Sequence, residues 1–157
     1  MSRRNRATKR DVLPDAVYGS EVITKLINQV MLDGKKSIAE KIVYSAMEKA
    51  ANKLNVPKAD DVFSTALQNV MPDLETKGRR VGGATYQVPI EIRAERKQTL
   101  AIRWIVNAAR KRNERDMDNK LAGELVDAYN STGGAFKKKE EMARTAEANK
   151  AYAHYRY

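Results

Sequence analysis

The hydrophobic pattern of this chain leaves the helical period in one segment only, and that interruption constrains the fold more than any other feature. Up to Val70, and again from about Arg96, apolar residues recur three and four apart, the spacing of a helix with one buried stripe. Between them, after Pro72, the pattern alternates: Leu74 and Thr76, then Tyr86, Val88, Ile90 and Ile92 set against Thr85, Gln87, Pro89 and Glu91, around a Val81-Gly82-Gly83 turn. A period of two around a glycine pair predicts a β-hairpin over 73–92. Pro89 lacks an N–H for a ladder, which an isolated two-stranded ribbon tolerates. The fold class expected is mainly α, a bundle of about six helices with one protruding β-hairpin and a basic N-terminal arm.

The helices follow from stripes and stops. Ser20 reads as an N-cap ahead of Val22, Ile23, Leu26, Ile27, Val30 and Met31, and Asp33-Gly34 stops that helix. A second begins near Ser37 and puts Ile38, Ile42, Val43, Ala46, Met47, Ala50 and Leu54 inward, with Lys41, Glu48 and Lys49 outward. A third follows Asp60-Asp61, whose carboxylates suit a helix N-terminus, and buries Val62, Phe63, Ala66, Leu67 and Val70. A fourth, from about Arg96, carries Leu100, Ala101, Trp104, Ile105 and Ala108 and runs out into Arg110-Lys111-Arg112. A fifth starts near Met117 with Leu121, Leu125, Val126 and Tyr129. The sixth begins at Gly133-Gly134 and runs to Tyr152 on a thin stripe of alanines and Met142. Hydrophobic residues are 42% of the chain but aromatic ones only 6%, so the core is aliphatic, as helices prefer. A length of 157 residues predicts one domain: an arm over 1–19, the hairpin, and a C-terminal helix and tail over 131–157.

Composition removes whole classes of chemistry. With 0 Cys there is no disulfide framework and no thiol nucleophile, and with 1 His no two-histidine metal site can form. No catalytic residue, cofactor, metal or small-molecule substrate is expected, and the chain is not read as an enzyme. No apolar run approaches the roughly 20 residues of a bilayer span, so a cytoplasmic protein without membrane contact is expected. Asp33-Gly34-Lys35-Lys36-Ser37 has the look of a phosphate-binding loop, but Gln29 stands where its first glycine belongs and Lys36 where a hydroxyl must hold magnesium.

What remains is charge: 30 Lys and Arg against 20 Asp and Glu, a net +10. The excess gathers in loops, ends and turns. The arm holds Arg3, Arg4, Arg6, Lys9 and Arg10 with no acidic residue among the first ten; Lys35 and Lys36 follow the first helix; Lys77, Arg79 and Arg80 sit on the hairpin; Arg110, Lys111, Arg112, Arg115, Lys137, Lys138 and Lys139 mark the ends of the fourth and sixth helices. Separate basic patches suit a polyanion whose phosphates release counterions on binding. With no major-groove reading motif present, a folded RNA fits better than a DNA duplex. An architectural DNA-binding protein is the alternative. Gly82 and Gly83 let backbone approach phosphate closely, Tyr86 can pack or stack, and His154 is a surface donor.

Several strings are long and ordered: Gly34-Lys35-Lys36 with Ile42-Val43 and Ala46, Arg79 through Pro89, Arg103-Trp104, and Lys137-Lys138-Lys139-Glu140 with Ala146 through Arg156. Over essentially its whole length the chain resembles the bacterial small-subunit ribosomal protein seven family. The resemblance implies six helices with a protruding hairpin, and a structural constituent of the small ribosomal subunit in the head. It implies primary binding to the 3′ major domain of 16S rRNA and nucleation of head assembly, with rRNA held by the arm, Lys35, Lys36, Lys77, Arg79, Arg80 and the basic ends of helices four and six. It further places Arg79, Arg80, Gly82, Gly83, Tyr86, His154 and Arg156 near exit-site tRNA and mRNA, with head and platform proteins as neighbours.

Overall fold

The computed structural model describes residues 7, 8 and 10–155. Arg3, Arg4, Arg6, Lys9 and Arg156 lie outside the described residues. The order is α1 (Glu21–Val30), α2 (Lys36–Leu54), α3 (Ala59–Val70), β1 (Leu74–Val81), β2 (Ala84–Glu91), α4 (Ala94–Arg110), α5 (Met117–Tyr129), α6 (Gly133–Ala148) and a short 3-10 helix, Lys150–Tyr155. The expected class, mainly α with one hairpin, is what forms.

α5 is the central helix, packed on α2, α3, α4 and α6, while α1 closes the bundle against α2 and α4. Small residues allow this: Ala39, Ala46, Ala50 and Ala51 on α2, and Ala122, Gly123 and Ala128 on α5, are all buried. Larger side chains, Val43, Met47, Phe63, Ile105, Leu121 and Leu125, fill the space between, each at 2% exposure or less. Burying such a side chain is worth about 1.5–3 kcal/mol, far more than helix propensity supplies.

Several local expectations shift. Ser20 precedes α1 in extended conformation but makes no side-chain cap bond. Ile38, placed inward by periodicity, is 53% exposed: it sits in the first turn of α2 and lines the open groove that Arg110 and Met117 also line. Lys49, read as outward, keeps 40% of its side chain exposed but also bridges: its Nζ reaches Asp118 Oδ2 at 2.6 Å and Asn119 Oδ1 at 2.7 Å, tying α2 to the first turn of α5. α6 ends at Ala148 rather than Tyr152, and the chain tightens into the 3-10 helix. The inner part of the arm is anchored: the buried Asp15 carboxylate accepts the N–H groups of Val17 and Tyr18, both at 3.0 Å, and the hydroxyl of Tyr44.

The hairpin is antiparallel, in register from Leu74 opposite Glu91 to Val81 opposite Ala84. Gly82 and Gly83 have φ of +57° and +88°, so the two-residue turn needs left-handed backbone at both positions, which glycine supplies without strain. The ribbon is not free-standing along its length. It packs on α6 and the 3-10 helix, Val88 is fully buried, and Tyr86 meets Tyr152 and Tyr155 with ring centroids 4.9 and 5.5 Å away.

Candidate nucleic-acid interface

α4 organises the basic surface because its sequence is periodic in two senses. Its buried stripe, Ala101, Trp104, Ile105 and Ala109, fixes its rotation, and that rotation turns Arg103, Asn107, Arg110 and Lys111 outward. Arg103 and Arg110 stand two turns apart, about 10 Å along one face. Arg110 reaches the end of α1, where Nη2 donates to Gln29 O at 3.2 Å and Val30 O at 3.4 Å. The guanidinium therefore satisfies carbonyls that α1 leaves unpaired. Lys35 lines the same groove as Arg110, beside the exposed Leu32 and Ile38. Lys36 opens α2 with an exposed pair to Glu40 at 3.6 Å, worth little in water.

Farther along α4 lies a cleft of about 520 Å³ between α4, α5 and the start of α6, lined by Arg103, Trp104, Asn107, Lys111, Arg112 and Lys138 among others. Two clusters far apart in sequence, the end of helix four and the start of helix six, thus meet at one place. Lys138 is half exposed and pairs across one helical turn with Glu141 at 2.7 Å, which holds that carboxyl below its ordinary range.

Arg112 has a different occupation. Its Nε donates to Glu114 Oε1 at 2.9 Å, and its Nη1 to Glu124 Oε2 at 3.1 Å and Asp127 Oδ2 at 2.6 Å. Burial opposes its charge, but the hydrogen bonds to Asp127, Glu114 and Glu124 outweigh burial and raise its pKa above an already high value. Glu124, 1% exposed, uses its other oxygen to accept the Ala135 N–H at 2.8 Å in the first turn of α6. Glycine makes room: a Cβ on Gly123 would sit 2.8 Å from Arg112 Nη2, and one on Gly133 2.8 Å from Asp127 Cβ. Arg112, Glu124 and Ala135 form a node joining α4, α5 and α6 beneath the cleft. Lys139 is likewise turned into the fold, donating to Asn69 O at 2.6 Å and lying 5.7 Å over the Phe136 ring.

The hairpin carries its own cations. Lys77 and Arg79 share a face with Tyr86, Val88 and Ile90, whereas Arg80 points from the opposite face and is exposed. Lys77 lines a shallow cleft with Arg93 and Arg96 where the ribbon meets α4. Arg96 grips Glu75 with Nε 2.9 Å from one oxygen, and Lys97 holds Asp73 at 2.5 Å, so the base of the ribbon is pinned to α4. His154 is exposed, 4.0 Å between centroids from Tyr155. Arg10, Arg115 and Lys137 are exposed and line neither the Lys35–Arg110 groove, nor the α4–α6 cleft, nor the cleft at the base of the ribbon.

Of the cations picked out by sequence, Lys35 and Arg110 are brought together, as are Lys111, Arg112 and Lys138. Arg103 completes the second group, and its place seven residues before Arg110 was the signal for it. Glu124 carried no such signal, since a lone acid in a helix reads as surface. No group of His, Asp and Glu able to hold a metal occurs among the described residues.

A family described as ribosomal protein S7p/S5e matches residues 2–150. The chain is 60% identical over 157 residues, the full length of both, to a protein of Natranaerobius thermophilus named small ribosomal subunit protein uS7. It is 61% identical over 157 residues, again full length, to one of that name from Clostridium botulinum strain 657. A third of that name, from Nautilia profundicola, is 63% identical over 155 residues, 99% of each chain. With the helical bundle, the hairpin and the basic band of α4 all formed, and the matches running end to end, the chain belongs to the ribosomal protein S7p/S5e family.

Proposed function

We propose that this chain is a structural constituent of the small ribosomal subunit that binds the 3′ major domain of 16S rRNA. It acts early, as a primary binder that nucleates the head, with its hairpin and last helix beside exit-site tRNA and mRNA and with head and platform proteins as neighbours. One observation carries the reading: basic clusters separated in sequence converge on a band from Lys35 and Arg110 to the cleft of Arg103, Lys111 and Lys138. A folded RNA backbone is matched by several such points on a rigid body, each contributing through phosphate charge. Family membership supports a role in the ribosome over catalysis, and no helix among the described residues is long and apolar enough to cross a membrane.

The test is filter binding to a 3′ major domain transcript across a salt series, with duplex DNA as competitor. A steep fall of affinity with salt is expected, flattened by deleting residues 1–10, which carry five cations. Equal competition by duplex DNA at matched salt would favour an architectural DNA-binding role and overturn the assignment.

A further inference from the structure

We infer that the cleft between α4, α5 and α6 holds one sugar-phosphate unit of an RNA strand, its phosphate on Arg103, Lys111 and Lys138 and its 2′-hydroxyl on Asn107. The inference rests on the RNA-binding reading above and goes further, because it assigns the discrimination of RNA from DNA to one side chain. Four cations and one carboxylate line the cleft, and the carboxylate, Glu124, is 1% exposed and already accepts from Arg112 and from the Ala135 N–H. Arg112 in turn is surrounded by Glu114, Glu124 and Asp127, so it stands as a post under the cleft rather than as a phosphate ligand.

That leaves three cations to meet an anion. Arg103 and Lys111 have no ion-pair or hydrogen-bond partner for their side chains among the described residues, and Lys138 has only its exposed pair with Glu141. An exposed pair one turn apart is worth a few tenths of a kcal/mol in water and yields readily to a phosphate. The volume, about 520 Å³, is ample for one nucleotide unit. Asn107 lies one turn beyond Arg103 on the same exposed face and lines the same cleft, and its side chain has no hydrogen-bond partner among the described residues. Its amide both donates and accepts, which matches a 2′-hydroxyl, the one group that separates ribose from deoxyribose.

The experiment compares wild-type protein with Arg103→Gln, Lys138→Gln and Asn107→Ala on the 3′ major domain transcript, in a salt series and by 2′-deoxy interference. The substituted side chains are on the surface, so melting temperatures should stay within a degree or two of wild type. Arg103→Gln and Lys138→Gln should each flatten the dependence of log affinity on log salt by slightly less than one unit, one phosphate contact's worth, and weaken binding several-fold at 0.1 M salt. Asn107→Ala should leave the slope unchanged, weaken binding several-fold, and erase 2′-deoxy interference at one nucleotide where wild type shows it. An unchanged slope in both cation variants, or an interference pattern in Asn107→Ala identical to wild type, overturns the inference while leaving the RNA-binding reading in place. If the wild-type protein fails to bind the transcript, the reading falls and takes the inference with it.

Discussion

Replacing Glu124 with alanine tests whether the node under the basic cleft holds the helices together. The carboxylate is 1% exposed and makes two bonds, from Ala135 N–H at 2.8 Å and from Arg112 Nη1 at 3.1 Å. Truncation orphans a buried N–H, at about 1–3 kcal/mol, and removes one of three acceptors from a partly buried guanidinium. Breaking a buried pair outright costs about 3–5 kcal/mol, but Asp127 and Glu114 stay with Arg112 and hold the loss toward the lower end. The sum is about 3 kcal/mol, or roughly 6–12 °C in Tm for a domain of this size. Glu124→Gln keeps an acceptor for Ala135 but offers Arg112 no charge, so it should lose about half as much. Because the pair is shielded from solvent, the loss should be similar at 0.1 and 1 M KCl. Thermal melts of the three proteins at both salts decide the matter. A drop below 2 °C for the alanine variant, or one that vanishes in high salt, would refute the node as a structural element.

The remaining perturbations probe the arm, the ribbon and the tail. Burial pushes the Asp15 carboxyl up, but hydrogen bonds from the Tyr44 hydroxyl and from the N–H groups of Tyr18, Val17 and Ala16 prevail and hold it below its usual range. The hydrogen bond to Asp15, aided by burial, pushes Tyr44 up to about 12. The Tyr44 contribution is therefore complete below about pH 10 and lost as pH rises toward 12, while that of Asp15 is present above about pH 4 and lost as pH falls through its depressed value. Burial and nearby carboxylates also raise Tyr18, so phenolate absorbance should show late-titrating tyrosines, of which Tyr44→Phe removes the one near pH 12; a single tyrosine wave near pH 10 would contradict it. Gly78→Ala should stabilise the ribbon by about 0.4–1 kcal/mol, since the added Cβ meets Thr85 Cγ2 at an ordinary 3.5 Å and the backbone is not left-handed. Slower amide exchange at Val88 would register the gain, and faster exchange would count against it. Tyr86→Ala should detach the 3-10 helix from β2, seen as faster chymotryptic cleavage at Tyr152 and Tyr155 with little change in Tm.

Much of the fold was legible because burial and period coincide. Ile23, Leu26, Ile27 and Val30 in α1 and Leu100, Ala101, Trp104 and Ile105 in α4 repeat at helical spacing and are all buried. The Gly82-Gly83 pair marked the turn because only a two-residue loop with left-handed backbone at both positions closes this register. Ile38 was misread since period fixes a face but not whether a neighbour covers all of it, and at the first turn of α2 that face opens on a groove. Charge was legible as an inventory and not as an arrangement. Arg112 and Lys138 look alike in sequence, both in basic runs at helix ends, yet one is enclosed by three carboxylates and the other faces a cleft. The difference is made by residues 12–15 positions downstream of Arg112, Glu124 and Asp127, which meet it only once α5 turns back along α4. A cation's role on this surface is thus decided by the acceptors the fold delivers to it: the carboxylates around Arg112 and the Asn69 carbonyl under Lys139 turn those two to securing the bundle, and that security keeps Arg103, Lys111 and Lys138 facing one cleft.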